Sequence, residues 1–240
     1  MKSDKVLIII PAYNESENID KVLKEIKKDI KNADILVIND YSKDNTCEIV
    51  ENNNVKCISN IFNMGYAMSI QTGIKYANYN NYDYVIQMDG DGQHLVSEAK
   101  KLYLHSKKSK CDITIGSRYL DKTFYYPFFR KLGTKIFSLI IRIFCRRKIT
   151  DPLSGFQCLN IRAIKKYSEH GAYPEYPDAS LIIEMLKQGY TIEEVKVKMR
   201  LRENGKSMHC GIIKPIKYMI EQLCICIVVI IKYFGKKGVK

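Results

Sequence analysis

The sequence predicts an α/β fold, a mostly parallel sheet with helices on both faces, followed by amphipathic helices toward the C-terminus. Three observations carry this. Over residues 1–120, short apolar runs alternate with segments whose apolar residues recur at helical spacing. The short runs are continuously apolar, as strands buried on both faces require. The 240 residues, 46% hydrophobic and 10% aromatic, suffice for one packed domain, which excludes a disordered chain.

Val6–Ile10 opens the series as a strand that ends at Pro11. Ile19, Val22, Leu23, Ile26 and Ile30 then mark one face of a helix running to about Lys31, with Asn14 or Ser16 expected to cap it. Ile35–Ile38 is a second strand, followed by a polar turn and a short helix near Cys47–Val50. Val55–Ser59 is a third strand, Ala67–Ala77 a helix, Tyr84–Met88 a fourth strand, Val96–His105 a helix and Asp112–Gly116 a fifth strand. Beyond it, Leu132, Ile136, Leu139, Ile140, Ile143 and Phe144 form a helical apolar stripe interleaved with Arg130, Lys131, Lys135, Arg142, Arg146 and Arg147. A loop with Pro152 and Gly155 leads to a helix near Ala179–Gln188, a strand near Thr191–Val197 and a last helix from Lys214 to about Phe234.

The net charge of +13 is unevenly placed. Residues 130–148 hold seven Lys/Arg and no acid, residues 196–240 hold eleven against two Glu, and the rest of the chain sums to −3. Two basic segments attached to a near-neutral body differ from the continuous cationic stripe that nucleic acid requires, so no nucleic-acid partner is expected. The eight cysteines show no CxxC pair, and the apolar run at Val6–Ile10 is too short for a secretory leader, so reduced thiols in the cytoplasm are expected. No run of 18 apolar residues occurs; the longest is Leu223–Ile231.

In a parallel sheet, ligands bind beyond the carboxyl ends of the strands. Four such ends carry polar clusters: Pro11 to Glu15, Asn39 to Asp44, Asp89 to His94, and Gly116 to Arg118. Asp89 and Asp91, separated by the permissive Gly90, offer hard oxygen ligands suited to Mg²⁺ or Mn²⁺, and Gln93 adds a neutral oxygen. Taken alone, Asp-Gly-Asp is also an ordinary solvated turn. A cation held by two carboxylates suits a diphosphate, hence a nucleotide-linked substrate whose base and ribose Tyr13, Glu15, Asn39 and Asp40 would contact. Asn63-Met64-Gly65 is a tight backbone turn suited to lining a phosphate.

These residues resemble the family 2 glycosyltransferases of GT-A fold, which are Rossmann-like. The resemblance rests on Pro11-Ala12-Tyr13-Asn14-Glu15, on Asn39-Asp40-Tyr41-Ser42-Lys43-Asp44-Asn45-Thr46 and on Asp89-Gly90-Asp91. Gly116-Ser117-Arg118, Asp151-Pro152-Leu153-Ser154-Gly155-Phe156 and Arg202-Glu203-Asn204-Gly205-Lys206-Ser207 extend it to the dolichyl- and polyprenyl-phosphate sugar transferases. Two positions depart from the pattern: Asn39 stands where the family has Asp, and Met208 where it has Lys.

The resemblance implies inverting transfer from a UDP- or GDP-sugar to a polyprenyl phosphate. It assigns metal binding to Asp89, Asp91 and Gln93, and donor binding to Pro11, Tyr13, Glu15, Asn39, Asp40, Asp89, Gly90 and Asp91. Catalytic roles fall to Asp91, Asp151 and Arg118, and acceptor or phosphate binding to Arg118, Arg130, Ser154, Gly155, Arg202 and Ser207. It implies a catalytic domain over 1–211, within which 124–148, with Tyr125, Tyr126, Phe128 and Phe129 beside the basic helix, is an interfacial segment. Residues 212–240 then form an amphipathic tail that meets a membrane surface, a small membrane-protein subunit or a second copy. The expected place is the cytoplasmic face of the membrane, as a peripheral protein. Transfer to a glycan hydroxyl is the alternative, and members that build polysaccharide often carry a Trp motif that this Trp-free chain lacks.

Overall fold

A computed structural model describes residues 4–121, 128–169, 173–174, 177–201 and 213–234, excepting the side chains of 128–130 and 213–216. The chain runs β1 (Val6–Ala12), α1 (Ile19–Asp29), β2 (Ala33–Asn39), α2 (Thr46–Asn52), β3 (Lys56–Ser59), α3 (Tyr66–Tyr79), β4 (Tyr84–Gln87) and α4 (Val96–Ser109). It continues through β5 (Ile113–Ser117), α5 (Phe128–Cys145), β6 (Gln157–Asn160), α6 (Ile161–Ser168), α7 (Ala179–Lys187), β7 (Ile192–Lys196) and α8 (Ile213–Tyr233).

The strands form one sheet in the order β3-β2-β1-β4-β6-β5-β7. Every pair is parallel except those made by β6, which runs antiparallel to β4 and β5. Alternate residues of β1 face opposite cores. Leu7 and Ile9 pack with α3, α5, α6 and α7, while Val6, Ile8 and Ile10 pack with α1 and α4. That double burial is why the strands read as unbroken apolar runs. β1 extends through Pro11 because its pairing with β4 stops at Ile9, so the missing proline N–H costs no bond on that side.

Two sequence expectations need correction. Neither Asn14 nor Ser16 caps α1: Asn18 occupies the cap position, Asn14 adopts φ +54°, and the Ser16 N–H donates to Asp44 at 3.1 Å. β6 and α6 were not foreseen. β6 holds only Gln157-Cys158-Leu159-Asn160, too short for a periodic signal, yet it fills the gap between β4 and β5.

Of the apolar stripe on α5, Ile140 packs against the core but most of the rest does not. Phe137 and Ile141 pack inward, whereas Leu132, Ile136, Leu139 and Ile143 are exposed, the last two at 56% and 62%. α8 repeats the pattern: Gln222 and Cys226 are buried, while Ile220, Leu223, Ile227, Val228 and Ile231 face outward. Among the described residues no helix is long and apolar enough to cross a membrane.

Candidate active site

β1, β2, β4 and β5 all run in one direction, so the four polar clusters open on one edge of the sheet. Because β6 runs the other way, the loop before it, Asp151–Phe156, comes to that same edge. The N-terminus of α3 arrives there too, after β3.

The first two clusters are stitched together by local polar bonds. The Asn14 N–H donates to Ser42 Oγ at 3.0 Å, the Lys43 N–H to Asn14 Oδ1 at 2.8 Å, and the Glu15 N–H to Thr46 Oγ1 at 2.9 Å. Glu15 accepts from Asn18 Nδ2 at 2.7 Å. Between these loops the rings of Tyr13 and Tyr41 stand exposed, with Lys43 Nζ 3.4 Å from the Tyr41 ring centre. Pro11 itself is buried in β1.

Asn39 and Asp40 are both buried. Asn39 donates to Ser59 Oγ at 3.1 Å and accepts the Ser42 N–H at 3.1 Å. Asp40 accepts from Asn60 Nδ2 and from the N–H groups of Met64 and Gly65, each at 2.8 Å. The turn read in the sequence as a phosphate cradle thus points these amides at Asp40, and Gly65 takes φ +85° to do so.

At the end of β4, a Cβ on Gly90 would lie 3.3 Å from the Pro11 carbonyl, so Asp89-Gly90-Asp91 packs directly on β1. Asp91 Oδ1 accepts the Gln93 N–H at 3.0 Å, and Asp89 Oδ1 accepts from the Tyr66 hydroxyl at 3.1 Å. Burial and the neighbouring Asp89 push the Tyr66 hydroxyl pKa well up, so it remains a donor. His94 is buried and stacks on Phe156 at 4.2 Å between ring centres. Its Nδ1 accepts the Asp89 N–H at 2.9 Å, and burial lowers its pKa, so the ring is neutral. Gln93 Nε2 donates to the Arg200 carbonyl at 3.4 Å, and the Arg200 N–H returns a bond to the Gln93 carbonyl at 2.9 Å.

Arg118 and Asp151 form a buried bidentate pair. Nε meets Oδ2 at 2.7 Å, Nη2 meets Oδ1 at 2.9 Å, and the Arg118 N–H donates to Oδ2 at 3.0 Å. Glu194 on β7 holds the backbone at the same end of this loop, accepting the N–H of Asp151 at 2.8 Å and of Thr150 at 2.7 Å. Ser154 is turned inward, its Oγ donating to the Gly116 carbonyl at 2.8 Å, and a Cβ on Gly155 would stand 2.5 Å from the Tyr66 hydroxyl. Arg202 and Ser207 lie outside the described residues, as does the Arg130 side chain on α5.

The structure thus brings the sequence-predicted Tyr13, Glu15, Asp89, Asp91, Gln93, Arg118, Asp151 and Gly155 together at one edge. The sequence reading includes His94 in a strand-end cluster but gives it no role, and it does not single out Tyr66 or Glu194. Tyr66 directly follows the turn it singled out, and His94 closes the cluster that starts at Asp89; Glu194 had no signal beyond lying in a strand.

A cavity of about 520 Å³ lies at the opposite edge, lined by Lys27, Lys31, Asp34, Lys56, Tyr76 and Tyr82 among others, and takes no part in this site. Among the described residues, no three His, Cys, Asp or Glu side chains cluster as a complete metal cage. Two carboxylates and an amide that leave the remaining positions to substrate oxygens are the donor set of a divalent hard cation bound together with a diphosphate.

Comparison with known proteins agrees with this geometry. The profile of the family described as Glycosyl transferase family 2 matches residues 7–168. A dolichol-phosphate mannosyltransferase of Pyrococcus furiosus is 33% identical over 85% of this chain and 58% of its own length. An undecaprenyl-phosphate mannosyltransferase of Micrococcus luteus is 28% identical over 86% of this chain and 88% of its own. Glucosyl-3-phosphoglycerate synthase from Mycobacterium tuberculosis superimposes with a TM-score of 0.71 in its phosphoglyceric acid complex, at 14% identity, covering 96% of this chain and 80% of that one. Its complex with Mn²⁺, uridine diphosphate and glucosyl-3-phosphoglycerate gives 0.66 at the same identity and coverage.

Proposed function

This chain belongs to glycosyl transferase family 2 and is a glycosyltransferase; from that premise we propose that it transfers a sugar, with inversion, from a UDP- or GDP-sugar to a polyprenyl phosphate. The reading places the reaction at the cytoplasmic face of a membrane and makes it dependent on Mg²⁺ or Mn²⁺. Relatives named for transfer to dolichyl and undecaprenyl phosphate support it, as does a fold neighbour that binds uridine diphosphate with Mn²⁺.

The observation that carries it is the Arg118–Asp151 pair. A sugar hydroxyl acceptor must lose a proton to a base. Both oxygens of Asp151 are bound to Arg118, so this carboxylate orients a cation. A phosphate acceptor, with a second pKa near ~6, is already largely anionic at neutral pH and needs cationic positioning. The exposed apolar faces of α5 and α8, rimmed by Lys131, Lys135, Arg142 and Lys232, provide the matching lipid-facing surface.

In this reading Tyr13 and Glu15 contact the nucleotide, and Asn39 and Asp40 shape its pocket from beneath. Asp89, Asp91 and Gln93 hold the cation, with Tyr66 and the Gln93 N–H fixing the two carboxylates beforehand. When bound, the cation supplies Lewis-acid stabilisation of the charge that grows on the departing diphosphate. Arg118, together with Arg130, Arg202 and Ser207, positions the acceptor phosphate. Ser154 and Gly155 shape the loop on which Asp151 stands.

The test is incubation with radiolabelled UDP- and GDP-sugars and either undecaprenyl or dolichyl phosphate. Label entering an organic extract in the presence of Mg²⁺ or Mn²⁺ identifies donor and acceptor together. Label that reaches only water-soluble glycan overturns the acceptor assignment.

A further inference from the structure

Cys47 and Cys57 bring their sulfurs within 3.6 Å of each other where α2 meets β3. Both thiols are free and half-buried. The Cys47 sulfur also lies 3.6 Å from Glu51 Oε1 and 3.7 Å from Ser59 Oγ. Each cysteine adjoins a residue that holds the nucleotide end of the sheet. Thr46, next to Cys47, accepts the Glu15 N–H at 2.9 Å and donates to Asp44 Oδ1 from its N–H at 3.1 Å and its hydroxyl at 2.5 Å. Ser59, two residues after Cys57, accepts from Asn39 Nδ2 at 3.1 Å.

A thiol attacks as its thiolate. Burial, and then contact with Cys47, push the Cys57 thiol up to about 12, which leaves Cys47 as the first sulfur to react. With a small-molecule disulfide as oxidant, the Cys47 thiolate attacks one of its sulfurs, the S–S bond breaks and one small thiol leaves. Cys57 then attacks the mixed disulfide at the Cys47 sulfur, and the second small thiol leaves. The two cysteine protons end on the two departing thiols, so the protein dithiol is oxidised and one small disulfide is reduced.

We propose that Cys47 and Cys57 are a modification site, a dithiol that closes reversibly to a disulfide and thereby weakens nucleotide binding at the strand ends. A covalent bond of about 2 Å draws together two sulfurs that stand 3.6 Å apart. α2 and β3 move with them, and so do Thr46 and Ser59, the partners of Glu15 and Asn39. The bridge follows from the thiol contact alone. Its effect on the nucleotide rests on the donor-site reading above.

The experiment equilibrates the full-length protein in glutathione buffers from fully reduced to fully oxidised, blocks free thiols and cuts with trypsin. Cleavage after Lys43, Lys56 and Lys75 leaves Cys47 and Cys57 in separate peptides, each with a single cysteine. A linked pair of peptides 44–56 and 57–75 that dithiothreitol separates reports the bridge. Calorimetric titration with UDP and with GDP in the presence of Mn²⁺ should show affinity about tenfold lower in the oxidised protein, the worth of one hydrogen bond. Dithiothreitol should restore it. Cys47→Ser and Cys57→Ser should each bind nucleotide equally in both buffers, and either one serves where the other fails to fold. No linked pair in any buffer, or Cys47 carrying glutathione throughout, would overturn the proposal. So would a bridged protein that binds nucleotide as tightly as the reduced one, or serine variants that still lose affinity on oxidation. A reduced protein that binds neither UDP nor GDP overturns the donor-site reading and the nucleotide effect with it, while the linked peptides still decide the bridge.

Discussion

Gly155 lies directly against Tyr66: a Cβ on the glycine would stand 2.5 Å from the tyrosine hydroxyl, which donates to Asp89 at 3.1 Å. The loop before β6 thereby reaches the proposed metal-binding carboxylates through a single side chain. Gly155→Ala should push Tyr66 off Asp89, and Tyr66→Phe should remove the same bond. Each should raise the Mn²⁺ concentration needed for half-maximal activity about tenfold, with little change in Tm. The double variant should resemble either single variant, because both remove one interaction. Titration of activity against Mn²⁺ checks this, and additive effects would show that Gly155 acts elsewhere.

Asp91→Ala should abolish metal-dependent transfer and leave the fold intact. Asp91 is half-buried beyond the strand end, and its Oδ1 accepts the Gln93 N–H within the same loop, so its loss removes a ligand while the apolar strands that build the core stay in place. Circular dichroism and label transfer, measured on one preparation, separate the two outcomes. Full activity in the variant would sink the metal assignment.

Much of this site was legible because its parts follow continuously apolar strands, which mark the sheet edge whatever their tertiary neighbours. Asp89, Asp91 and Tyr13 needed nothing more. Asp40 was visible as a strand-end acid, but its bonds reach Asn60, Met64 and Gly65, 20 to 25 residues on, and no local pattern encodes that choice. β6 was hidden by its four-residue length, and with it the reason that Asp151 joins the same edge. The Asp178 carboxylate, at the cap position of α7, was hidden because its partner Tyr218 is 40 residues away on α8.

Asp151→Asn should destabilise the protein strongly. Arg118 is almost fully buried, and its guanidinium would lose an ionised partner at two contacts of 2.7 and 2.9 Å. Breaking such a buried pair costs on the order of 3–5 kcal/mol. Urea denaturation should show the loss as a lower midpoint with an unchanged slope. A shift under 1 kcal/mol would mean that the pair is open to water.

Replacing Leu139 and Ile143 by Glu should release the protein from anionic vesicles without lowering Tm. Both side chains stand more than half exposed on the outer face of α5, so folding buries little of them. Two carboxylates among Lys135, Arg142 and Arg146 would remove apolar contact and weaken attraction to anionic lipid. Co-sedimentation with phosphatidylserine vesicles at low and high salt measures both contributions. A fall in Tm would instead place these residues in a packed interface.

Burial raises the Asp178 pKa from 3.8 to about 6, the hydrogen bond from Tyr218 and the charge of Arg118 only partly opposing it. A carboxylate whose pKa is higher in the folded state than in the unfolded chain favours folding while it is protonated. Below pH 4 both states hold the proton and nothing is gained or lost. Between pH 4 and 6 the unfolded chain releases its proton first, so stability falls as pH rises, by on the order of 3 kcal/mol, and then levels off. Glu194, also raised by burial, adds a slope of the same sign. Asp4, Asp20 and Asp44, held low by their hydrogen bonds, act oppositely and only as pH falls below their ordinary range. Asp178→Asn should therefore flatten the decline between about pH 4 and 6 and stabilise the protein most at neutral pH. Urea midpoints across that range test this. Parallel curves for wild type and variant would show that Asp178 is ionised throughout and hydrated in the folded protein.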